Sequence, residues 1–434
     1  MWNISPPPPS LVSLQRPDPN WSATVQSGLA LTKVLILNRS YWPDVEATGQ
    51  LLAELCADLT SSGFDVTVVA GVPNVAASVP TFAAAGTHRI EGVTVVRVPT
   101  RKFSKSSLWS RALGLMSYFT RSAWAAVRQA RPKVLVVETD PPFLPALGVF
   151  LRYWHRCRLV CYLQDLHPEV GLALGKFRPG LMTWVLRKLS QFGLRHADRI
   201  VVLGEDMKRR VLARGVPEAK IAVIPNWADS SLLRPGLPRE PLRQEWGVGA
   251  NLVVAYSGNL GLSQNLDMVL DAAAQLRNEP VAFVFIGDGA HKRALESRAI
   301  AEELTNVQFF PYQPKDRLAE SLGAADVHLV TLQKGVSGFI VPSKLYGILA
   351  VGRPYVAAID AEGDTAAVTE RFRCGLRVDP DSPAQLVDAI RWCLRNREEL
   401  VAMGQRGRQV AEKEFDRKVC TGKFATILTE LCGG

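Results

Sequence analysis

A lysine at the start of a short predicted helix could hold the phosphates of a bound nucleotide. Ser343, Lys344 and Leu345 follow Pro342, a residue that favours the first turn of a helix. Backbone N–H groups at a helix start attract anions, and the Lys344 ammonium would add a full positive charge. Because fixed positive charge stabilises a departing diphosphate, the segment predicts a phosphate site. The alternative is a solvated first-turn lysine.

Two glycine-containing loops follow successive predicted strands in the same half of the chain. They span Ser257–Gly261 and Phe285–Gly289. Each alone could be a tight turn, but two loops at equivalent strand ends of one sheet are suited to holding a diphosphate. The candidate donor-binding residues are Gly258, Asn259, Gly287, Asp288 and Gly289.

Three ionisable groups end a predicted strand in the first half of the chain. Asp165, His167 and Glu169 follow Tyr162–Leu163. Polar residues at the carboxyl edge of a strand line a cleft, where acid–base work or contacts with sugar hydroxyls take place. Asp165 and His167 are therefore candidate catalytic residues, and a helix cap or a plain loop is the alternative.

Thr48 and Gly49 follow the first predicted strand, where a glycine lets a ligand approach the backbone. We interpret them as part of an acceptor-side loop. The dinucleotide fingerprint needs three spaced glycines directly after the strand, and its absence disfavours a dehydrogenase.

These segments lie in a pattern of strands and helices that alternates and then restarts. Continuous Val/Ile/Leu strands between helices predict doubly wound parallel sheets, and 434 residues exceed one hydrophobic core. We therefore predict two Rossmann-like α/β domains facing a cleft. The predicted boundaries are an extension at 1–30, an acceptor and membrane-facing domain at 31–233, a linker at 234–247, a nucleotide-sugar domain at 248–395, and C-terminal helices at 396–434.

The positive charge is concentrated in the first half of the chain. The net charge is +10, with +12 in residues 32–234 and −2 in residues 235–434. Gly92–Val137 contains no acidic residue, and aromatic residues alternate with its basic ones, which predicts contact with anionic lipid headgroups. A solvated helix face is the alternative, and no nucleic-acid motif accompanies the charge. The residues are Arg101, Lys102, Lys105, Arg111, Arg121, Arg128, Arg131 and Lys133, with Trp109, Tyr118, Phe119 and Trp124.

Several classes of protein are disfavoured by composition. No run of about 18 apolar residues suggests a membrane-spanning helix, and the Pro- and Ser-rich start does not resemble a secretory signal. The seven cysteines lack the spacing of a zinc site, so no metal is expected. We expect a cytoplasmic protein that is peripheral on the inner face of the cell membrane.

The ordered segments resemble glycosyltransferase family 4, and within it the colanic-acid and O-antigen, fucosaminyltransferase-like subgroup. The resemblance runs from about Lys33 to Cys432. The motifs that carry it are Tyr41–Pro43 with Ala47–Gly49, Gln164–Pro168, Ala197–Leu203, Val223–Trp227, Tyr256–Asn259, Phe285–Gly289 and Val341–Tyr346.

The resemblance implies a GT-B fold, a metal-independent retaining transferase, and no cofactor beyond a nucleotide-sugar co-substrate. It places the nucleotide base against the loop with Tyr312 and Gln313, and a ribose-binding Glu where this chain has Gly347. The Arg and Lys that many members carry near Gly258 are Asn259 and Gln264 here, so Lys344 is expected to supply the missing charge.

The implied reaction is a front-face displacement in which the β-phosphate takes the acceptor proton while Asp165 and His167 orient the sugars. The expected donor is a UDP-linked N-acetylated hexosamine, and the expected acceptor is a polyprenyl-diphosphate-linked saccharide of exopolysaccharide or O-antigen synthesis. A sugar-nucleotide 2-epimerase and a non-catalytic GT-B scaffold subunit remain alternatives.

Overall fold

The computed structural model describes residues 31–44, 46–73, 84–99 and 108–433, with side chains from residue 114 onward in the last range. The predicted extension at 1–30 lies outside these residues. Parts of the basic segment also lie outside: Arg101, Lys102 and Lys105 altogether, and the side chains of Trp109 and Arg111.

The first half of the chain forms an eight-stranded sheet. Its strands are β1 (Thr32–Leu37), β2 (Phe64–Gly71), β3 (Gly86–Ile90), β4 (Val93–Val98), β5 (Val134–Val137), β6 (Arg158–Tyr162), β7 (Arg199–Val202) and β8 (Ile221–Val223). They lie in the order β3-β4-β2-β1-β5-β6-β7-β8, and only the edge strand β3 runs antiparallel to its neighbour. The strand order reverses between β1 and β5, which is where ligands bind in such sheets.

The second half forms a six-stranded sheet whose paired strands are all parallel. Its strands are β9 (Leu252–Ser257), β10 (Val281–Ile286), β11 (Val307–Phe310), β12 (Val327–Thr331), β13 (Tyr355–Ala358) and β14 (Gly375–Val378). Their order is β11-β10-β9-β12-β13-β14, so here the reversal falls between β9 and β12. The prediction of two doubly wound parallel-sheet units is confirmed.

Helices cover both sheets. They are α1 (Ala47–Ser61), α2 (Leu108–Val127), α3 (Leu144–His155), α4 (Glu169–Ala173), α5 (Leu181–His196), α6 (Glu205–Leu212), α7 (Glu240–Glu245), α8 (Asp267–Gln275), α9 (Lys292–Ala301), α10 (Leu318–Ala324), α11 (Lys344–Ala350), α12 (Asp364–Phe372), α13 (Pro383–Arg395), α14 (Arg397–Glu414) and α15 (Arg417–Gly433). On the first sheet α3 packs between α2 and α5, while α1 packs against α15.

The C-terminal helix α15 is built into the first unit. Phe424 is fully buried, and its ring meets the Tyr162 ring edge-on at 5.3 Å. Arg417 donates to both carboxylate oxygens of Asp58 on α1, at 2.7 and 2.9 Å. The last helix therefore ties the second half of the chain to the core of the first.

The segment at 234–247, which we predicted to be a linker, is partly a helix. Leu242 on α7 and Trp246 just after it are buried against the second sheet. Two apolar residues four positions apart lie on one face of a helix, and here that face outweighs the Pro and Gly content that indicated a linker.

We expect Phe424→Ala to lower the free energy of unfolding of the first unit by about 3–5 kcal/mol, because it leaves a cavity beside Tyr162. Urea denaturation followed by circular dichroism measures the change. Val401→Ala on the exposed face of α14 is the control, with an expected change within about 0.5 kcal/mol. Equal loss in both variants would mean that α15 is not part of the first core.

Candidate functional site

The two units meet through loops at the carboxyl edges of their sheets. The Leu166 N–H, after β6, donates a hydrogen bond of 2.8 Å to the carbonyl oxygen of Phe339 in the loop before α11. Because Leu166 lies between Asp165 and His167, this bond brings the candidate catalytic residues beside the segment that leads to Lys344. We call the space between these loops the cleft.

On the first side of the cleft the strand ends enclose a cavity of about 210 Å³, which we call the acidic cavity. Arg39 follows β1, Glu138 and Asp140 follow β5, and Asp165 follows β6. The cavity thus lies at the reversal of strand order between β1 and β5. Its full lining is Arg39, Glu46, Thr48, Glu138, Thr139, Asp140, Gln164, Asp165 and His167.

The carboxyl groups of the acidic cavity are not equivalent. Arg39 forms ion pairs with Asp140 at 2.8 Å and with Glu46 at 3.1 Å. Glu138 is 1% exposed, and among the described residues neither of its carboxyl oxygens has a hydrogen-bond partner. Burial, assisted by the charges of Asp140 and Asp165, raises the pKa of Glu138 well above its ordinary value. The buried position therefore favours the neutral form of Glu138.

Asp165 and His167 both line this cavity, as predicted from the strand end. The Thr139 hydroxyl oxygen accepts from the Asp165 N–H at 3.3 Å and from the Gln164 N–H at 3.2 Å, which fixes the loop. Burial raises the pKa of Asp165, and His167 opposes the shift. The pair can bind and orient hydroxyl groups, while their catalytic roles stay a prediction.

Thr48 lines the cavity. Gly49, which the sequence suggested would leave room for a ligand, packs against protein instead. A Cβ atom on Gly49 would lie 2.6 Å from the Ser40 hydroxyl and 3.1 Å from the Tyr41 nitrogen. The first turn of α1 therefore packs directly on the chain that follows β1, and the space next to Gly49 is filled by protein.

On the second side of the cleft, the Lys344 ammonium is enclosed. It lies 3.3 Å from the centre of the Tyr256 ring, and a Cβ on Gly258 would be 3.5 Å from it. Within the described part of the chain Nζ has no hydrogen-bond partner, and burial lowers the pKa of Lys344 well below its ordinary value. Tyr256 and Gly258 end β9 and Lys344 follows β12, so this cation lies at the second reversal of strand order.

The start of α11 offers fewer free amides than we predicted. The Leu345 N–H donates to the Pro342 carbonyl oxygen at 3.1 Å, and the Tyr346 N–H donates to that of Ser343 at 3.4 Å. The Leu345 side chain is buried in the hydrophobic core, and its role in donor binding stays a prediction. The Lys344 side chain is thus the main group here that could bind a phosphate.

The glycine loops pack against each other. The Gly258 N–H donates to Ile286 and the Gly287 N–H to Phe310, each at 2.9 Å. A Cβ on Gly287 would lie 2.0 Å from the Gly258 carbonyl oxygen, and one on Gly289 would lie 2.4 Å from that of Leu260. These glycines are thus explained by close packing of backbone on backbone, and the amides of Gly258 and Gly287 are already used within the protein.

The predicted base-binding loop borders these glycine loops. The Tyr312 hydroxyl lies 3.4 Å from the Asp288 carbonyl oxygen, and Tyr312 is 47% exposed. The Gln313 side-chain amide donates to the Pro311 carbonyl oxygen at 3.4 Å. An exposed ring beside the end of β10 gives a base a surface to stack on.

The position of the missing Glu faces apolar atoms. A Cβ on Gly347 would meet Leu322 Cδ1 at 3.3 Å and Leu233 Cδ1 at 3.6 Å. The described residues contain no group of three or more His, Cys, Asp or Glu side chains placed to hold a metal ion. None of the described helices is long and apolar enough to cross a bilayer.

A reciprocal contact between Asp206 and Asp364 joins the two units. The carboxylate of Asp364, in the first turn of α12, accepts from the Asp206 N–H at 3.1 Å. The carboxylate of Asp206, in the first turn of α6, accepts from the Asp364 N–H at 3.1 Å. Burial and the neighbouring Asp206 raise the pKa of Asp364 to about 8, so the two carboxyl groups retain a proton between them.

Sequence reasoning missed Glu138, Arg39 and the Asp206–Asp364 contact. Glu138 ends the same kind of strand as Asp165, so its position at a carboxyl edge was an available signal. Asp206 and Asp364 are 158 positions apart, and only the relative placement of the two units brings them together.

Family models match the two halves of the chain in turn. A Glycosyl transferase 4-like domain matches residues 47–227, and Glycosyl transferases group 1 matches residues 238–410. The putative colanic acid biosynthesis glycosyl transferase WcaI of Escherichia coli is 29% identical over 407 residues, which are 90% of this chain and 98% of WcaI.

Two further proteins extend the comparison. The probable glycosyltransferase WbjE of Pseudomonas aeruginosa is 29% identical over 76% of this chain and 82% of its own. The crystal structure of HepE of Anabaena, in complex with UDP and glucose, matches with a TM-score of 0.71 at 17% identity, over 92% of this chain and 99% of HepE.

We expect stability to fall as the pH rises, because the folded state retains a proton on the Asp206–Asp364 pair that the unfolded chain releases. The contribution is full below the ordinary Asp pKa of 3.8 and is lost progressively until the pH passes about 8. Asp364→Asn should flatten this part of the profile, since an amide donates without titrating. Urea unfolding at pH 5, 7 and 9 measures the free energy of unfolding, and Asp381→Asn, at an exposed position, is the control. If this free energy changed with pH equally in the wild type and both variants, the shared proton would be contradicted.

Proposed function

The chain belongs to the family 4-like glycosyltransferases of the GT-B type, and we propose that it transfers an N-acetylated hexosamine from a UDP-linked donor to a polyprenyl-diphosphate-linked saccharide. The transfer would proceed without a metal and with retention of anomeric configuration, in exopolysaccharide or O-antigen synthesis. The observation that carries the proposal is the enclosed Lys344 amino group, which has no hydrogen-bond partner among the described residues and lies at the reversal of strand order in the second sheet.

Burial lowers the pKa of the free Lys344 side chain, and a bound diphosphate would raise that pKa again by supplying hydrogen-bond acceptors and negative charge, so that Lys344 would hold the diphosphate as an ammonium. The Tyr256 ring below the ammonium stabilises a cation but leaves its N–H groups unused. As negative charge develops on the leaving diphosphate, a fixed cation in a site shielded from water stabilises it strongly. Lys344 would thereby replace the charge that many family members supply from the positions of Asn259 and Gln264.

The acceptor would approach from the first side of the cleft. Asp165 and His167 face the acidic cavity and, through the Leu166–Phe339 hydrogen bond, are held beside the loop before Lys344. In the proposed front-face displacement the bond to the new glycosidic oxygen forms as the bond to the diphosphate breaks. The acceptor proton passes to the departing β-phosphate, while Asp165 and His167 orient the hydroxyl groups.

The relatives support the choice of substrates. The name of WcaI assigns it to colanic acid biosynthesis, and HepE was crystallised with UDP and glucose. A UDP-linked donor and a polysaccharide product are therefore the first substrates to test. A thermal-shift screen against UDP-, GDP- and dTDP-sugars identifies the donor, since a ligand at about 100 times its Kd adds roughly 2.7 kcal/mol of stability.

We expect Lys344→Ala to weaken UDP binding roughly tenfold to a hundredfold, because it removes a charge-assisted hydrogen bond to the diphosphate. Isothermal titration calorimetry with UDP measures the change, and turnover should fall in parallel. Lys334→Ala, an exposed lysine of the same domain, is the matched control and should bind UDP like the wild type. Unchanged affinity and turnover in Lys344→Ala would overturn the assignment of this residue.

The proposed membrane contact lies on the outer face of α2, α3 and α5. Tyr118 of the predicted aromatic stretch is buried in the core, but Trp124 is exposed and carries the Arg128 guanidinium 3.5 Å from its ring centre. Eleven of the seventeen exposed large hydrophobic side chains in the described residues lie on these three helices, which makes this face unusual for a water-exposed surface. They are Met116, Trp124, Phe150, Tyr153, Trp154, Leu181, Met182, Trp184, Val185, Leu189 and Phe192.

Cationic side chains accompany these aromatic rings. Arg152 lies 5.9 Å from the centre of the Tyr153 ring, and Lys188 lies 5.7 Å from that of Trp184. Apolar rings that enter a bilayer interface beside cations that meet anionic headgroups are typical of peripheral membrane proteins. We therefore propose that this face, which we call the aromatic face, rests on the membrane and extends well beyond the α2 segment indicated by the sequence.

We expect the double variant Trp154→Glu/Trp184→Glu to bind vesicles containing phosphatidylglycerol at least about tenfold more weakly, because it places charges where apolar rings enter the interface. Vesicle co-sedimentation measures the change. Ile300→Glu, an exposed apolar residue of the second domain, is the control. Wild-type affinity in the double variant would exclude the aromatic face as the membrane contact.

A further inference from the structure

A second, larger cavity lies at the opposite edge of the first sheet from the cleft. Its volume is about 560 Å³, and it is formed at the amino-terminal ends of β5 and β6 and at the ends of α3 and α15. Its lining is Arg131, Pro132, Lys133, Arg152, Arg156, Cys157, Arg158, Leu431 and Cys432. We call it the basic cavity; five of its nine lining residues are cationic and none is acidic.

Neighbouring groups neutralise only part of this charge. Asp198 pairs with Arg152 at 3.0 Å and with Arg158 at 3.4 Å. Arg131 donates to the carbonyl oxygens of His155 and Arg156, at 2.6 and 3.3 Å, at the end of α3. Those three guanidinium groups therefore have partners that explain their positions.

Lys133 and Arg156 are exposed to solvent and differ from these three residues. Among the described residues, neither side chain has a hydrogen-bond, ion-pair or aromatic partner. Arg156 also has φ 50°, the left-handed conformation that favours glycine after a helix. Arg156 thus places a cation at a position whose backbone conformation favours glycine, beside other cationic side chains that repel it.

We propose that the basic cavity binds a phosphate-bearing anion, distinct from the donor nucleotide of the cleft. Two free cations, supported by three that are partly paired, match the charge of a diphosphate or phosphodiester group. The volume exceeds that of one inorganic phosphate, and Leu431 and the two cysteines add an apolar wall. The ligand would therefore carry an organic part or more than one phosphate.

Two sources could supply this chemistry: a lipid headgroup or a free polyphosphate. Arg152 and Arg156 flank Tyr153 and Trp154, so the cavity adjoins the aromatic face. Binding of a lipid headgroup would require the proposed membrane contact. Binding of an anion in the basic cavity would not. The experiment separates the two sources.

The test compares wild type with Lys133→Glu/Arg156→Glu. We expect roughly a tenfold to thirtyfold loss of affinity for phosphatidylglycerol vesicles if the ligand is a headgroup, since each basic residue near such a surface contributes appreciably. If the ligand is a free polyphosphate, the heat of inorganic tripolyphosphate binding measured by calorimetry should disappear in the variant, while vesicle binding should not change. Either result supports the site and identifies the source.

Controls separate the site from net charge and folding. Arg371→Glu/Lys413→Glu changes the net charge of the second domain by the same amount and should leave both affinities as in wild type. Lys133→Gln/Arg156→Gln removes the two charges without reversing them, so the logarithm of its loss of affinity should be about half that of the Glu variant. This variant keeps the proposal testable if the charge reversal unfolds the protein. If neither vesicle nor tripolyphosphate binding distinguishes the cavity variants from the control, the proposal is overturned. Failure of the aromatic-face variants alone would leave it standing.

Discussion

The site depends on one constraint: two separate sheets must present their carboxyl edges to each other at contact distance. Parallel sheets gather their chemistry at one edge, so Lys344 and the pair Asp165 and His167 come together only when the two edges meet. The Leu166–Phe339 hydrogen bond joins the two edges directly. The Asp206–Asp364 contact and helix α15 also join the two units.

Charge is divided across the cleft in a way that orients the substrates. On the first side the carboxylates of Glu46 and Asp140 are paired with Arg39, while the second side carries Lys344, whose Nζ has no hydrogen-bond partner among the described residues. A diphosphate would therefore bind the second side more readily than the first. Neutral sugar hydroxyls, which carboxyl groups bind well, are suited to the acidic cavity. The arrangement therefore favours a donor whose phosphates lie against the second domain and whose sugar points towards the first.

The sequence predicted the sheets better than the site. Buried Val/Ile/Leu strands such as Leu252–Ser257 and Val281–Ile286 are strong signals, because both of their faces are covered. The polar edge strand Gly86–Ile90 gave no such signal, and the buried pair Leu242 and Trp246 was obscured by nearby Pro and Gly. Glycines were a misleading signal for ligand binding. Gly49, Gly287 and Gly289 indicate close approach, and only coordinates distinguish approach by a ligand from approach by protein.

Two enclosed polar groups beside the cleft, Lys344 and Glu138, differ from the paired charges of this protein. Arg39, Asp140 and Asp58 are paired by protein, and their contribution to folding is complete in the free chain. Lys344 and Glu138 are enclosed and unpaired, at a free-energy cost that folding alone does not recover. A bound ligand could offset this free-energy cost by supplying the missing hydrogen bonds. Lys344 and Glu138 lie on opposite sides of the cleft. In the proposed reaction, Lys344 would stabilise the charge that develops on the leaving diphosphate, while the acidic cavity would bind the hydroxyl groups on the other side of the cleft.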